Sequence, residues 1–104
     1  MIGYDFNGVV DTGRFIPNEE DVIITGVVIG GGLVISTLEY LQEHNIKCAV
    51  YFNPYPNGAN NRELVATWKA EIINKLELKT FYEDDFLQYQ IIKQCSPKCE
   101  VIKV

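Results

Sequence analysis

The chain has 104 residues, nearly half of them hydrophobic, with 14 acidic and nine basic side chains and a formal net charge of -5. That length allows one compact domain, residues 1–104, with a thin stability margin, and the apolar content is too high for a disordered chain. The acid excess argues against a nucleic-acid grip through a basic face, because phosphate binding needs Lys and Arg to displace counterions, although it does not bar nucleic acid as a substrate.

Residues 2–6 read as a first strand, and the opening Met1-Ile2-Gly3-Tyr4-Asp5 lacks the basic region of a secretory leader. Residues 7–20 read as a loop around Gly8, Gly13 and Pro17-Asn18. Residues 21–26 read as a buried second strand. The uncharged run from Val22 to Leu38 is too short and too rich in glycine for a membrane span. Gly30-Gly31-Gly32 matches neither the P-loop nor the dinucleotide fingerprint and reads as a flexible loop. Ser36-Thr37 then cap a helix that runs to His44-Asn45, with Glu39 at capping-box distance from Ser36.

Residues 46–52 read as a third strand, and Asn53 to Gly58 as a turn-rich loop. Residues 61–77 form the clearest helix, with Leu64, Val65, Trp68, Ile72 and Leu76 at three-to-four spacing. Residues 78–82 form a fourth strand, residues 86–94 a short helix closed by Pro97, and residues 100–104 a last strand. Three cysteines, Cys48, Cys95 and Cys99, are an odd number without zinc-site spacing. They point to reduced thiols and a cytoplasmic setting.

Strands alternating with helices predict an α/β fold: a Rossmann-like three-layer sandwich around a mostly parallel five-stranded sheet, with no cap domain. Ligands of such sheets bind at the carboxyl ends of the strands. The first strand delivers Asp5 and Asn7 there, the second Thr25, the third Asn53 and the fourth Glu83-Asp84-Asp85; the long helix carries Lys69. Acids on two strand ends suggest a cation site. Together with a hydroxyl and an ammonium they suit phosphoryl chemistry.

The ordered set Asp5-Phe6-Asn7-Gly8-Val9, Thr25-Gly26, Lys69 and Glu83-Asp84-Asp85 resembles the haloacid dehalogenase-like superfamily of phosphohydrolases. The resemblance implies a Mg²⁺-dependent phosphatase or phosphotransferase in which Asp5 forms an aspartyl-phosphate and Thr25 and Lys69 hold the phosphoryl oxygens. Mg²⁺ would sit on Asp5, the carbonyl of Asn7 and an acid of the 83–85 run, with Asp84 favoured and Asp85 and Glu83 as alternatives. Asn7 replaces the family's second aspartate, so the general acid–base contribution, about 10²–10⁴-fold, would be lost and turnover slow. A catalytically impaired pseudoenzyme or a phosphate- or metal-binding module is the alternative. The uncapped site would suit a large phosphorylated substrate, or a second subunit would cover it.

Overall fold

A computed structural model describes residues 1–56 and 61–104. The turn expected to reach Gly58 therefore lies partly outside the described residues. Five strands, β1 (Ile2–Tyr4), β2 (Val22–Val28), β3 (Ala49–Asn53), β4 (Thr80–Glu83) and β5 (Glu100–Lys103), form one sheet in the order β3-β2-β1-β4-β5. Every neighbouring pair is parallel. Three helices, α1 (Leu33–Glu43), α2 (Arg62–Leu76) and α3 (Phe86–Cys95), connect the later strands. This is the expected Rossmann-like arrangement.

Alternation along β2 sorts the core into two layers. Val22 and Ile24 join Trp68 and Ile73 of α2 and Ile92 of α3 on one face. Ile23, between them, joins Phe6, Val9 and Val10 of the first loop and Leu41 of α1 on the other. No α-helix joins β1 to β2: residues 5–21 cross the sheet as a loop with one 3-10 turn, Val10–Thr12. Asp21 holds that loop in place. Its carboxylate accepts from the Ile2 N–H at 3.0 Å and the Asn18 N–H at 2.9 Å.

Two elements differ from the sequence reading. α1 starts at Leu33, not after Ser36, because Gly32 already takes helical angles as the N-cap. The Ser36 hydroxyl donates back to the Leu33 carbonyl at 3.0 Å and sits inside the first turn. β2 runs on to Val28, through Gly26, with its register against β3 broken between Thr25 and Val28. Both shifts have one cause. The triple glycine is an ordered turn, with Gly30 at φ 79° and the Gly31 N–H bonded to the Val28 carbonyl at 2.9 Å. Among the described residues no helix is long and apolar enough to cross a membrane.

Candidate functional site

The chain winds from β1 through β2 to β3 in one direction, then crosses back to place β4 on the other side of β1. Strand order therefore reverses between β1 and β4, and a crevice opens beyond their carboxyl ends. Asp5 follows β1 and Glu83 ends β4, so both carboxylates are delivered to that crevice. The Asp5 N–H bonds to the Tyr82 carbonyl at 3.0 Å, which prolongs the β1–β4 pairing by one residue.

Lys69 reaches the same point from α2. Its ammonium donates to Asp5 Oδ1 at 3.1 Å and to Glu83 Oε1 at 2.8 Å, and its side chain is 1% exposed. A lysine on a helix is ordinarily solvated. Here α2 instead turns Val65, Ala66, Lys69 and Ile73 inward, and two carboxylates compensate the cost of burying the charge. Burial alone would lower the Lys69 pKa; Asp5 and Glu83 outweigh it and hold it above the ordinary lysine value. Burial pushes the Asp5 carboxyl well above the usual carboxylate range, against the pull of Lys69, and the neighbouring Glu83 adds to the rise.

Asp84 completes the cluster. Carboxylate oxygens of Asp5, Glu83 and Asp84 lie within 4.8 Å of one another. A cavity of about 240 Å³ beside them is lined by Asp5, Asn7, Gly26, Lys69, Asp84 and Gln88, among others. Gly8, at φ 78°, is what lets Asp84 lean in: a Cβ there would fall 1.9 Å from Asp84 Oδ2. Gln88 Oε1 is buried and has no hydrogen-bond partner among the described residues.

The expected site residues thus divide. Asp5, Lys69 and Asp84 come together, and exposed Asn7 lines the cavity beside them. Thr25 does not join them. It is fully buried, and its hydroxyl accepts from the Val27 N–H at 3.2 Å. Asp85 does line the cavity, but its carboxylate is engaged by other partners. Its Oδ1 caps α3 through the N–H groups of Leu87 and Gln88, and both its oxygens accept from Arg62, at 2.8 and 2.9 Å. Glu83, read only as an alternative metal ligand, is instead the closer partner of Lys69. Alternation along β4 carries that signal, because Glu83 shares the buried side of Phe81, which faces α2. Gln88 and Arg62 had no such signal in the sequence.

A second cavity, about 330 Å³, adjoins the first and shares Asn7 and Gly26 with it. Its wall is the glycine turn between β2 and α1, including Gly31, Gly32 and Leu33. No side chain caps the start of α1, and its first turn carries no acid. Space is open where side chains on Gly30 and Gly32 would be.

Comparison with known proteins overturns the haloacid dehalogenase-like reading. The chain is similar to a bifunctional pinoresinol-lariciresinol reductase from Sinopodophyllum hexandrum, 27% identical over 93 residues, covering 82% of this chain and 30% of that protein. The chain therefore spans less than a third of that protein's length. No family model and no solved structure matches. The similarity is to an oxidoreductase, so an enzymatic role stays open while a phosphatase or phosphotransferase acting through an aspartyl-phosphate, or an impaired relative of one, has no support. The geometry adds physical reasons. Thr25 does not line the cavity, Asp85 is spent on a helix cap and an ion pair, and Lys69 is held between two carboxylates rather than free for a phosphoryl oxygen.

Proposed function

We propose that this chain is the nucleotide-binding part of a reductase and that it takes a nicotinamide dinucleotide with its pyrophosphate on the turn between β2 and α1. One observation carries the reading: a glycine-rich turn joins a parallel strand to an uncapped helix N-terminus, inside a β2-α1-β3 unit, and opens on a cavity. Such a terminus presents free N–H groups and a partial positive charge to an anion. Similarity to a reductase supports the choice of ligand, since a reductase needs a hydride donor. The similar span covers most of the chain, so it necessarily includes the middle, where this turn lies.

The turn departs from the usual G-x-G-x-x-G spacing, with glycines at 26, 30, 31 and 32. The end of β3 departs too. A carboxylate there would hold the adenosine ribose, but the residue is Asn53, whose Nδ2 donates to the Gly26 carbonyl at 3.3 Å and whose Oδ1 accepts from the Tyr55 N–H at 3.0 Å. With its amide engaged, Asn53 offers nothing to select a ribose hydroxyl over a 2′-phosphate. NADH and NADPH should therefore bind with similar affinity.

Calorimetric titration with both dinucleotides tests this, with Gly32→Asp as the discriminating variant. Position 32 has room for a side chain and takes ordinary helical angles. Aspartate there would set a negative charge against the N-terminal dipole of α1, where the pyrophosphate would lie. Binding should vanish while the melting temperature holds or rises. Failure of both dinucleotides to bind, or unchanged binding by the variant, would refute the proposal.

The acidic cluster supports a second element, a divalent cation such as Mg²⁺ held by Asp5, Asp84 and Glu83. Three carboxylates face one ammonium there, and Gln88, whose Oε1 has no hydrogen-bond partner among the described residues, is one of the residues lining the same cavity. Oxygen donors of this kind suit a hard cation. Mg²⁺ at a hundred times its Kd should raise stability by about 2.7 kcal/mol, an effect that Asp84→Asn should remove. A melting temperature indifferent to Mg²⁺ would exclude the site.

A further inference from the structure

We infer that Asp84 sets the redox preference of the dinucleotide site: the acidic crevice holds the oxidised form, whose nicotinamide ring is a cation, more tightly than the reduced form, whose ring is neutral. The inference rests on the dinucleotide reading and adds to it the charge state of the ligand.

Strand order places the ring. The adenosine half belongs at the end of β3 and the pyrophosphate on the turn after β2. Continuing the same way along the sheet, the next strand ends are those of β1 and β4. β4 lies two strands from β2, roughly 10 Å at about 4.8 Å per strand, within reach of a nucleoside. The two cavities adjoin along this line, with Asn7 and Gly26 in the walls of both. The nicotinamide ring therefore falls in the cavity lined by Asp5, Asp84 and Lys69.

Charge in that cavity is unbalanced. Asp5 and Glu83 share the ammonium of Lys69, and Asp85 has the guanidinium of Arg62. Among the described residues Asp84 has no basic partner, and it is partly exposed at the cavity wall. Three carboxylates against one ammonium leave the crevice negative, in a chain already at -5. A cleft lined by one sign of charge favours a ligand group of the other sign. The oxidised ring is a pyridinium cation and the reduced ring a neutral dihydropyridine, while the adenosine, riboses and pyrophosphate are the same in both forms. Ring charge is thus the difference that Asp84 can read. Tighter hold on the oxidised form makes the bound reduced form a stronger hydride donor than the free one, by the same factor. That direction serves a reductase.

Calorimetric titration with NAD⁺ and NADH tests this, with a chelator present so that no divalent cation offsets the cluster. Two unit charges about 4 Å apart in bulk water attract by the equivalent of about fivefold in affinity, so the parent chain should bind NAD⁺ about fivefold more tightly than NADH. Asp84→Asn keeps the shape of the side chain and removes its charge, and should bring the ratio close to one. Glu43→Gln removes the same charge at the far end of α1, from an exposed side chain, and should leave the ratio as in the parent. Equal affinities in the parent, tighter NADH, or a ratio that Asp84→Asn does not move would overturn the inference and leave the dinucleotide reading standing. A ratio that Glu43→Gln moves as far would overturn it too, by tracing the preference to net charge. Failure of both forms to bind would overturn the inference and the reading together.

Discussion

Replacing Lys69 by methionine keeps the length and the apolar stem of the side chain but removes the ammonium between Asp5 and Glu83. The Lys69 and Glu83 side chains are 1% and 0% exposed, and that of Asp5 is 9% exposed, so solvent cannot replace the lost partner. Removing one member of a buried ion pair costs about 3–5 kcal/mol, because an uncompensated charge stays behind. A domain of this size has about 5–15 kcal/mol in total. With an m-value of about 1–1.5 kcal/mol/M, the urea midpoint should fall by about 2–5 M. Fluorescence of Trp68, the single tryptophan and a buried neighbour of position 69, reports the transition.

Acid should shrink that loss. In the folded chain the Asp5 pKa lies above its ordinary 3.8, so the folded state holds a proton that the unfolded state releases. Asp5 therefore favours folding most below pH 3.8, and that contribution fades as the pH rises through the folded value. Lys69 is the group that pulls this pKa down, so its removal matters least where Asp5 is already protonated. Measured with a chelator present, the gap between parent and variant should be smallest in acid, where Asp5 is protonated, and should widen as the pH rises through its folded value. A loss below about 1 kcal/mol at neutral pH, or a gap that widens in acid, would refute the account of a charge-compensated triad.

Glu77 ends α2 in the left-handed region, at φ 55°. Glu77→Gly relieves that strain and should add about 0.5–1 kcal/mol, read as a melting temperature higher by about 4 °C; an unchanged or lower value would contradict it. Asp85→Ala removes the α3 cap and should cost about 1 kcal/mol. Hydrogen bonding to Arg62 holds the Asp85 pKa below its ordinary 3.8, so the stabilisation is present above pH 3.8 and lost as the pH falls through the lowered folded value. Thermal melts of parent and variant should therefore differ at pH 7 and converge in strong acid.

The alternation of short apolar runs with helical spacing made the sheet and its three helices legible, because binary pattern follows burial. Ends of elements were harder to read. Gly32 starts α1 with no capping side chain, and the first residue after it with a capping hydroxyl is Ser36, inside the helix. The gathering of Asp5, Lys69 and Asp84 could be read because each stands at a strand end or on the long helix and topology brings those ends together. What each side chain does there could not. Asp85 is next to Asp84 in sequence yet turns to α3, since a helix that starts at Phe86 needs its acceptor. Resemblance of four short motifs led to a chemistry that the comparison with a reductase overturns, since fold and site types recur across unrelated reactions. The glycine turn, set aside for lacking a familiar spacing, is an ordered junction.

β1 has only three residues, yet it lies at the centre of the sheet and pairs with strands on both sides. Its β2 register joins Gly3 to Val22, whereas its β4 register joins Ile2 to Thr80. One half of the sheet can therefore zip through nearby segments, and the other must wait for a contact spanning most of the chain. Closing so long a loop has an entropic cost before any burial offsets it, which makes this pairing the natural bottleneck of folding. Asp5 and Glu83 meet only when that seam closes, so until then both carboxylates stay hydrated and Lys69 has no reason to leave water.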